Sequence, residues 1–291
     1  MKIYLDCISC FVRQALDAAR FATDDEQVHK EVVGKVLKMA AGLDMTQSPP
    51  VIAQKIHRLI RKSVGSDDPY YKVKKQFNSL ALKLYPSLRT QIINARDPFE
   101  TAVRFAIAGN IIDFGAKSSL TESEVRMTIN DSLSSYLDNE QVQHFKSAVA
   151  EAERILYLAD NAGEIVFDHL LIEQMPIDKI TVVVKGSPVI NDATMEDANL
   201  IGLSRIVEVI DNGSDGPGTI LDTCSKDFLD HFEKADLVIS KGQGNYETLS
   251  GIDKNIFFLL KAKCPVIAED INCNVGEMIL HTNSQLQSIN I

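Results

Sequence analysis

The sequence contains no long hydrophobic run. None of its apolar stretches approaches the roughly 20 residues that a helix needs to cross a bilayer. Charged side chains at Asp6, Arg13 and Asp17 interrupt the first part of the chain, which excludes the apolar stretch of a secretory signal peptide. The sequence therefore predicts a cytoplasmic protein without a membrane partner.

Basic residues are too few to balance the acidic ones. Lys and Arg together number 30 against 40 Asp and Glu, and the formal net charge is -10. Nucleic-acid binding needs a basic surface that neutralises phosphates, so we expect no nucleic-acid partner. Negative charge mostly serves solubility, but it is also compatible with a carboxylate-rich cleft that takes a divalent cation.

Cysteine is sparse and scattered. The chain has 5 cysteines, an odd number whose spacing does not suggest a disulfide framework. In a reducing cytoplasm we expect them to be thiols. Cys7 and Cys10 form a C-x-x-C pair that could be half of a zinc or iron–sulfur site, but such sites usually need about four ligands. Two small buried thiols on a helix are the simpler interpretation.

The apolar pattern of the first half is helical. Residues 1–150 show apolar positions at helical spacing, as Phe11, Ala15 and Ala18 do, which predicts an all-helical region. The predicted helices cover residues 7–21, a segment that starts after Asp24 or Asp25, and residues 50–64, 69–84, 99–114, 122–137 and 141–150.

The second half has a different pattern. From Arg154 onward, short apolar runs alternate with longer amphipathic stretches. This alternation predicts an α/β fold, namely a Rossmann-like three-layer parallel sheet with helices on both faces. We therefore expect a helical region over 1–150 and an α/β metal- and phosphate-binding domain over 151–291, which can also pack as one compact unit. The predicted strands cover residues 155–159, 180–184, 206–210, 237–240 and 265–268.

Each predicted strand ends at a polar residue. Because ligands bind beyond the carboxyl ends of the strands in open parallel sheets, we expect these residues to line one edge of the sheet. The series contains both carboxylates and lysines, which is more specific than any one residue alone. Its members are Asp160, Lys185, Asp211, Lys241 and Glu269.

Asp160 and Asn161 follow the first predicted strand. Their carboxylate and amide oxygens are hard ligands suited to Mg²⁺ or Mn²⁺. The small residues Ala162 and Gly163 would let a ligand approach the backbone, and the N–H groups of the next helix can hold a phosphate. Capping of that helix by Asp160 or Asn161 is an equally good interpretation of these residues taken alone.

Lys185, Asn191 and Asp192 follow the second predicted strand. Lys185 can neutralise a phosphoryl oxygen, whereas Asn191 and Asp192 stand where a helix could begin, so capping is again the plain alternative. If the first two strands are neighbours, Asp192 completes a ligand set with Asp160 and Asn161. Such a set leaves positions for water and substrate phosphate, as catalysis requires.

Two glycine-rich segments follow the third and fourth predicted strands. Residues 211–218 form either a plain loop or an anion-binding nest. Residues 241–247 look like a phosphate-binding turn that leads into a helix, although the order of Lys241 and the glycines is not that of a P-loop. In this interpretation Lys241 acts as a point charge on the transferring phosphate.

Taken together, these segments resemble those of the metal-dependent damage-control phosphatases. The resemblance extends over most of the chain, and the C-x-x-C pair is similar to that of the largely prokaryotic branch of this family. The basic C-terminal motif of the eukaryotic branches is not found in the sequence, so their sugar-phosphate preference is not carried over. The matching segments are DDPYYKVK at 67–74, RFAIAGNIIDFG at 104–115, LADNAGEIVFD at 158–168, VKGSPVINDAT at 184–194, DNGSDGPGT at 211–219 and ISKGQGNYETL at 239–249.

The resemblance implies a helical region packed on a Rossmann-like domain, with a divalent metal at the active site. That metal would be Mn²⁺ or Mg²⁺, with Co²⁺ or Ni²⁺ as further candidates. By similarity, Asp160, Asn161 and Asp192 are its ligands, and Asp160 and Lys241 are the catalytic residues. The predicted substrate-binding residues are Asn110, Asp113, Lys185, Asn191, Gly242, Gly244 and Asn245.

The predicted activity is metal-dependent hydrolysis of phosphomonoesters in small phosphorylated metabolites. The metal and Lys241 would offset charge on the phosphoryl group in the transition state. Asp160 would either attack phosphorus or orient a water molecule, and the sequence does not choose between these roles.

Two other classes of protein are compatible with a Rossmann-like sheet. An S-adenosylmethionine-dependent carboxyl methyltransferase should carry an acidic residue at the end of the second strand, where this chain has Lys185. A non-catalytic metal- or nucleotide-binding protein would leave the strand-end lysines and hard ligands without a use. A phosphate-release assay with and without divalent metals separates these hypotheses.

Overall fold

The computed structural model describes residues 1–110 and 122–283, and the first half of this part is helical, as predicted. Aspartate side chains start three of the helices, since Asp25, Asp97 and Asp138 each accept a hydrogen bond from a backbone amide of the first turn. The helices are α1 (Leu5–Ala22), α2 (Glu26–Ala40), α3 (Pro49–Val64), α4 (Tyr71–Asn94), α5 (Pro98–Gly109), α6 (Glu122–Ser134) and α7 (Asn139–Glu151).

Helix α4 continues well beyond its predicted end at residue 84. Pro86 removes a backbone donor and crowds the preceding turn, which disfavours a continuous helix. In the structure Pro86 lies inside the helix, and Leu88 and Ile92 beyond it are buried, at 4% and 1% exposed. Burial of these side chains offsets the lost hydrogen bond.

The second half forms one six-stranded sheet in the order β3-β2-β1-β4-β5-β6. The first five strands in chain order are parallel, and β6 pairs antiparallel with β5 at one edge. The predicted α/β class and the N-terminal helical region are therefore confirmed, with one strand that is not parallel. The strands are β1 (Ile155–Leu158), β2 (Ile180–Val184), β3 (Glu208–Asp211), β4 (Leu237–Lys241), β5 (Ile256–Lys261) and β6 (Met278–Thr282).

The strand predicted at residues 265–268 is wrong. These residues open a helix, in which Pro265 occupies a first-turn position where its missing N–H costs nothing. The fifth strand is instead Ile256–Lys261, an apolar run that is buried along nearly its whole length. Glu269 consequently lies on a helix and not at a strand end. The helices of this half are α8 (Glu164–Ile172), α9 (Met195–Leu200), α10 (Lys226–Lys234), α11 (Gly242–Leu249) and α12 (Pro265–Ile271).

The largest apolar cluster connects the two halves. It joins Leu84 and Phe105 of the helical half with Tyr157 and Phe167 of the α/β half, all of them buried. The division at residue 150 stays a prediction, since this core crosses it. No helix in residues 1–110 and 122–283 combines the length and apolar character that a membrane crossing requires.

Candidate metal and phosphate site

The candidate site lies where the strand order reverses. Strands β1 and β4 are neighbours, but their chain connections leave in opposite directions along the sheet, and such a point opens a crevice at the carboxyl ends of the strands. Asp160 follows β1 there and Gly242 follows β4. A Cβ atom on Gly242 would overlap Oδ2 of Asp160, and Gly242 has a φ of +77°. Only glycine fits this position without displacing the carboxylate.

The loops that follow β1 and β2 are joined by backbone hydrogen bonds. The amide of Ala193 donates to the carbonyl of Asp160 at 2.8 Å, and the amide of Ala162 donates to the carbonyl of Asn191 at 2.8 Å. Asn161 and Asp192 thereby form an isolated β-bridge. The two strands are neighbours, as the proposed ligand set required, and Asp160, Asn161 and Asp192 lie together.

Two amide nitrogens hold the carboxylates of Asp160 and Glu164. Asn161 Nδ2 donates to Asp160 Oδ2 at 2.8 Å and to Glu164 Oε2 at 2.9 Å. Asn110 Nδ2 donates to the same two oxygens, at 3.0 and 2.9 Å. Because the nitrogen of Asn161 faces the carboxylates, its amide oxygen is directed away from them.

Asn110 is fully buried and connects helix α5 to the site. It was predicted to contact substrate, but its nitrogen is used within the protein, and its Oδ1 has no hydrogen-bond partner among the described residues. Contact between Asn110 and substrate stays a prediction. Asp113 lies outside the described residues.

Lys241 is at the centre of a buried ion cluster. Its ammonium donates to the carbonyl of Ala106 at 2.9 Å, to Glu164 Oε1 at 2.7 Å, and to Asp168 Oδ1. Its side chain is 0% exposed, and these contacts use all three N–H groups. The predicted catalytic contact between Lys241 and phosphate does not agree with this geometry.

Glu164 and Asp168 also belong to this cluster, although neither was predicted from the sequence as a site residue. Both are fully buried on helix α8, where a spacing of four residues places them on one face. Two acids at this spacing in a mostly apolar helix were a usable signal, because a buried carboxylate needs a cationic or hydrogen-bonding partner. Tyr157 provides a further partner, since its hydroxyl donates to Asp168 Oδ1 at 2.8 Å.

The carboxylates of the site repel one another. Burial raises the pKa of Asp160 well above its usual range, and the nearby charges of Glu164 and Asp192 raise it further, although Lys263 and Lys185 act in the opposite direction. Burial also raises the pKa of Asp168, to about 6, against the lowering effect of Lys241. Burial is the larger cause for both groups, and the like charges of the neighbouring carboxylates add to it.

The donor set fits a divalent cation by its chemical type, and the Asn161 amide would have to rotate to present its oxygen beside the Asp160 carboxylate. Within the described residues, Asp160, Glu164, Asp168 and Asp192 interact as one group, and Lys185 and Lys241 contact members of it. Lys263 also lowers the pKa of Asp160, so four carboxylates face three ammonium groups. This leaves a surplus of carboxylates. The oxygens of Asp160, Asn161 and Asp192 are the hard ligand type that Mg²⁺ and Mn²⁺ prefer.

Lys185 and Asn191 lie beside Asp192. The ammonium of Lys185 is 3.4 Å from Asp192 Oδ2 and also donates to the carbonyl of Gly218. Asn191 is 3% exposed, and its Nδ2 has no hydrogen-bond partner among the described residues. A buried amide donor without a partner is costly, and a phosphate oxygen would satisfy it.

The predicted phosphate turn packs against the loop that follows β3. A Cβ on Gly218 would overlap the carbonyl of Gly244. Asn245 accepts from Thr219 Oγ1 at 2.8 Å and donates to the carbonyl of Lys241 at 2.7 Å. Both ends of the Asn245 amide are thus engaged, and its contact with phosphate, like those of Gly242 and Gly244, stays a prediction.

Helix α3 holds the same loop from the other side. Asp215 accepts from Arg58 Nη2 at 2.6 Å and from Arg61 Nη2 at 2.5 Å, and Gln54 donates to it at 2.8 Å. The hydrogen bond from Arg58 is the main reason that the pKa of Asp215 falls to about 2. The glycine-rich segment 211–218 is therefore anchored to the helical half.

Among the residues that the structure describes, the cysteine pair does not belong to a metal cluster. The prediction of two buried thiols is wrong, since Cys7 is half-buried and Cys10 is exposed. Partial desolvation still raises the pKa values of both thiols, which disfavours the thiolate form that binds metals. Nowhere in residues 1–110 and 122–283 do three His, Cys, Asp or Glu side chains lie in an arrangement that could hold a metal. The proposed oxygen site differs because Asn161 is one of its ligands.

A cavity of about 770 Å³ opens at the opposite end of the strands, away from the candidate site. It is lined by residues at the amino ends of the strands, including Arg154, Lys179 and Arg205. None of the predicted site residues that the structure describes lines it. The position of the ligand-type oxygens, rather than cavity size, identifies the carboxyl edge as the candidate site.

Known proteins resemble this chain over nearly its full length. Residues 3–279 match the sequence model of the damage-control phosphatase ARMT1-like domain. A damage-control phosphatase of Archaeoglobus fulgidus is 37% identical over 96% of this chain and 98% of its own. A damage-control phosphatase of Pyrococcus horikoshii is 36% identical over 97% and 99%. The crystal structure of a DUF89 family protein from Pyrococcus horikoshii has a TM-score of 0.87, at 33% identity, and covers 97% of this chain and 99% of its own.

Proposed function

We propose a metal-dependent phosphatase activity on the premise that this chain belongs to the ARMT1-like damage-control phosphatase family. Family membership makes the chain a phosphatase. Our proposal adds that it needs a divalent cation, Mn²⁺ or Mg²⁺ with Co²⁺ or Ni²⁺ as further candidates, and that it hydrolyses phosphomonoesters of small phosphorylated metabolites.

The convergence of Asp160, Asn161 and Asp192 carries this proposal. Two adjacent loops hold these residues together through the bridge between Asn161 and Asp192. Burial and neighbouring carboxylates raise the pKa of Asp160 far above its usual range, and a cation at this position would relieve that repulsion. The surplus of carboxylates therefore supports a divalent cation held by these three residues.

A bound divalent cation supplies positive charge that stabilises the phosphoryl oxygens as the ester bond breaks. The protein supplies the remaining contacts. Lys185 lies 3.4 Å from Asp192 and can place its ammonium against a phosphoryl oxygen. The unsatisfied Nδ2 of Asn191 can donate to a second oxygen, which orients the phosphate over the ligand loops.

Lys241 has an indirect role in this proposal. Its ammonium contacts Glu164 and Asp168 inside the fold, and Glu164 shares two amide donors with Asp160. Lys241 thereby offsets part of the negative charge next to Asp160 and keeps Glu164 in place. We infer that it is a positioning residue that does not touch the phosphate.

Phosphate release from a generic aryl phosphate tests the proposal. Metal-stripped protein should be inactive, and added Mn²⁺, Mg²⁺ or Co²⁺ should restore turnover. Asp160→Ala should abolish activity without unfolding the protein, because the substitution removes a ligand from a group of mutually repelling carboxylates. Asp178→Asn is the matched control, since Asp178 is an exposed carboxylate at the amino ends of the strands, away from the candidate site.

Undiminished turnover after metal removal would contradict the metal requirement. Retained turnover by Asp160→Ala in added Mn²⁺ would contradict the site assignment. Binding of S-adenosylmethionine without phosphate release would favour the methyltransferase hypothesis, although the buried Lys185 at the end of β2 is unsuited to a ribose hydroxyl.

A further inference from the structure

We propose that a buried group between helices α4 and α9 sets the spacing between the two loops that carry the metal ligands. The group consists of Lys74, Asn78 and Asp197, and we call it the α4 clamp. Asn78 is its positioning residue: it touches neither metal nor substrate, but it fixes the loop that carries Asp160 and Asn161. The inference rests on the proposed function, because it assumes that these loops bind a divalent cation.

Asn78 links the first ligand loop to helix α9 with one side chain. It is 0% exposed. Its Oδ1 accepts from the backbone amide of Gly163 at 2.7 Å, and its Nδ2 donates to Asp197 Oδ1 at 2.7 Å. Gly163 lies two residues beyond the ligand Asn161, so the first of these bonds fixes the first ligand loop to α4.

Asp197 extends the connection to the second ligand loop. Its Oδ2 accepts from the amide of Thr194 at 2.9 Å and from the hydroxyl of Thr194 at 2.8 Å. Thr194 lies two residues beyond the ligand Asp192. The path from Gly163 through Asn78 and Asp197 to Thr194 therefore holds both loops in addition to the backbone bonds between them.

Lys74 places a positive charge beside this buried carboxylate. Its ammonium is 3.3 Å from Asp197 and 3.1 Å from Asp68, and its side chain is 4% exposed. A buried carboxylate without a cation is strongly unfavourable, and the contact with Lys74 provides that cation for Asp197. The segment 67–74, whose role the sequence left open, thus belongs to the support of the site.

The backbone of Gly163 presses directly against α4. Gly163 has a φ of +78°, and a Cβ at this position would lie 2.9 Å from Cβ of Phe77. No side chain separates the ligand loop from the helix, so a small displacement of α4 reaches Asn161 and Asp160 directly. Substitution of residues that orient metal ligands typically weakens metal binding about 10- to 100-fold.

Mn²⁺ binding to metal-stripped protein tests the clamp. Asn78→Ala should raise the Kd for Mn²⁺, measured by calorimetric titration, about 10- to 100-fold. The matched control is Tyr85→Phe, which also removes a hydrogen bond from α4, the 2.9 Å bond from the Tyr85 hydroxyl to Glu173, but far from the ligand loops. Its Kd should stay within about twofold of the wild-type value.

Hydrogen exchange of the metal-free protein provides a readout that does not depend on the metal. The amides of Gly163 and Ala193 should exchange faster in Asn78→Ala than in wild type, and at the wild-type rate in Tyr85→Phe. If Asn78→Ala does not fold, Asn78→Asp takes its place, because it keeps the size and the acceptor for Gly163 but loses the donor to Asp197. It should show faster exchange at Ala193.

The Kd for Mn²⁺ and the amide exchange rates together decide whether the α4 clamp holds the ligand loops. An unchanged Kd together with unchanged exchange in the Asn78 variant overturns the clamp, as does an equal weakening of Mn²⁺ binding by Tyr85→Phe. If the wild-type protein binds none of Mn²⁺, Mg²⁺, Co²⁺ and Ni²⁺ in the same titration, the proposed function fails. In that case the exchange rates alone decide whether Asn78 holds the loops.

Discussion

Gly242 brings strand β4 and the carboxylate of Asp160 closer together than any other residue type would allow. Gly242→Ala should reduce phosphatase activity about 100-fold, because a Cβ would displace Asp160 by a distance that productive geometry does not tolerate. Gly251→Ala is the control, since a Cβ there has no neighbour within 4 Å. Steady-state kinetics at saturating metal measures both variants. Equal activities would show that the close approach at Gly242 is unimportant.

Lys241 should contribute more to stability than any exposed lysine of an ion pair. Lys241→Met leaves Glu164 and Asp168 as buried carboxylates without their cation, which should cost about 3–5 kcal/mol of unfolding free energy. The control is Lys75→Met, because Lys75 is 33% exposed in its 2.6 Å pair with Glu196, and this loss should stay below about 1 kcal/mol. Urea unfolding measures both. Similar losses would contradict the central role of Lys241.

The sequence predicted those site residues that follow a strand. Asp160, Asn161 and Asp192 stand at the ends of apolar runs, and adjacent parallel strands bring such ends together. The partners of Lys241 were harder to foresee. The sequence shows a lysine before a glycine-rich turn, and only the three-dimensional packing of α5 and α8 reveals that the ammonium turns inward.

Helix α3 carries His57, a buried histidine whose protonation the folded structure disfavours. Burial, aided by Arg61, lowers the pKa of His57 to about 4, whereas an unfolded histidine has a pKa of about 6.5. Below pH 6.5 the unfolded chain therefore binds the proton more readily than the folded protein does. Stability from this group is fully present above that range and falls as the pH drops towards 4.

His57→Leu should remove this pH dependence. Between pH 7 and pH 5 the wild-type protein should lose about 2 kcal/mol of unfolding free energy through His57, and the variant should lack that part of the decrease. Urea unfolding at both pH values measures the difference between the two proteins, in which the contributions of other titrating groups cancel. An equal decrease in both would show that His57 titrates normally.

The helices were predictable where apolar residues recur at helical spacing over a long segment. Helices α1 to α3 and α7 have clear apolar periodicity, and their predicted bounds are close to the observed ones. The run at 265–268 was too short for periodicity to separate strand from helix. Pro265 was the better guide, because a proline suits the first turn of a helix and not a central strand.

At the scale of the whole molecule, the shared core should make the two halves unfold together. The largest apolar cluster contains buried residues of both halves, so neither half keeps its full core alone. Differential scanning calorimetry of the metal-free protein should show one transition with equal calorimetric and van't Hoff enthalpies. Two separate transitions would instead support independent domains that divide near residue 150.

Metal binding should stabilise this whole unit. A cation at about 100 times its Kd adds about 2.7 kcal/mol to the free energy of unfolding. The single transition should therefore move to higher temperature as a whole when Mn²⁺ is added, and it should not move in Asp160→Ala. A shift that affects only part of the transition would show that the cation stabilises one half alone.

The contact between Gly163 and helix α4 also restricts how this chain can change over generations. Position 163 needs a residue without a side chain because Phe77 lies against it, and position 78 needs an amide because it serves Gly163 and Asp197 at once. These positions are distant in the gene but adjacent in the fold. We expect them to be inherited as one set, so that a lineage which alters the helix must also rebuild the loop.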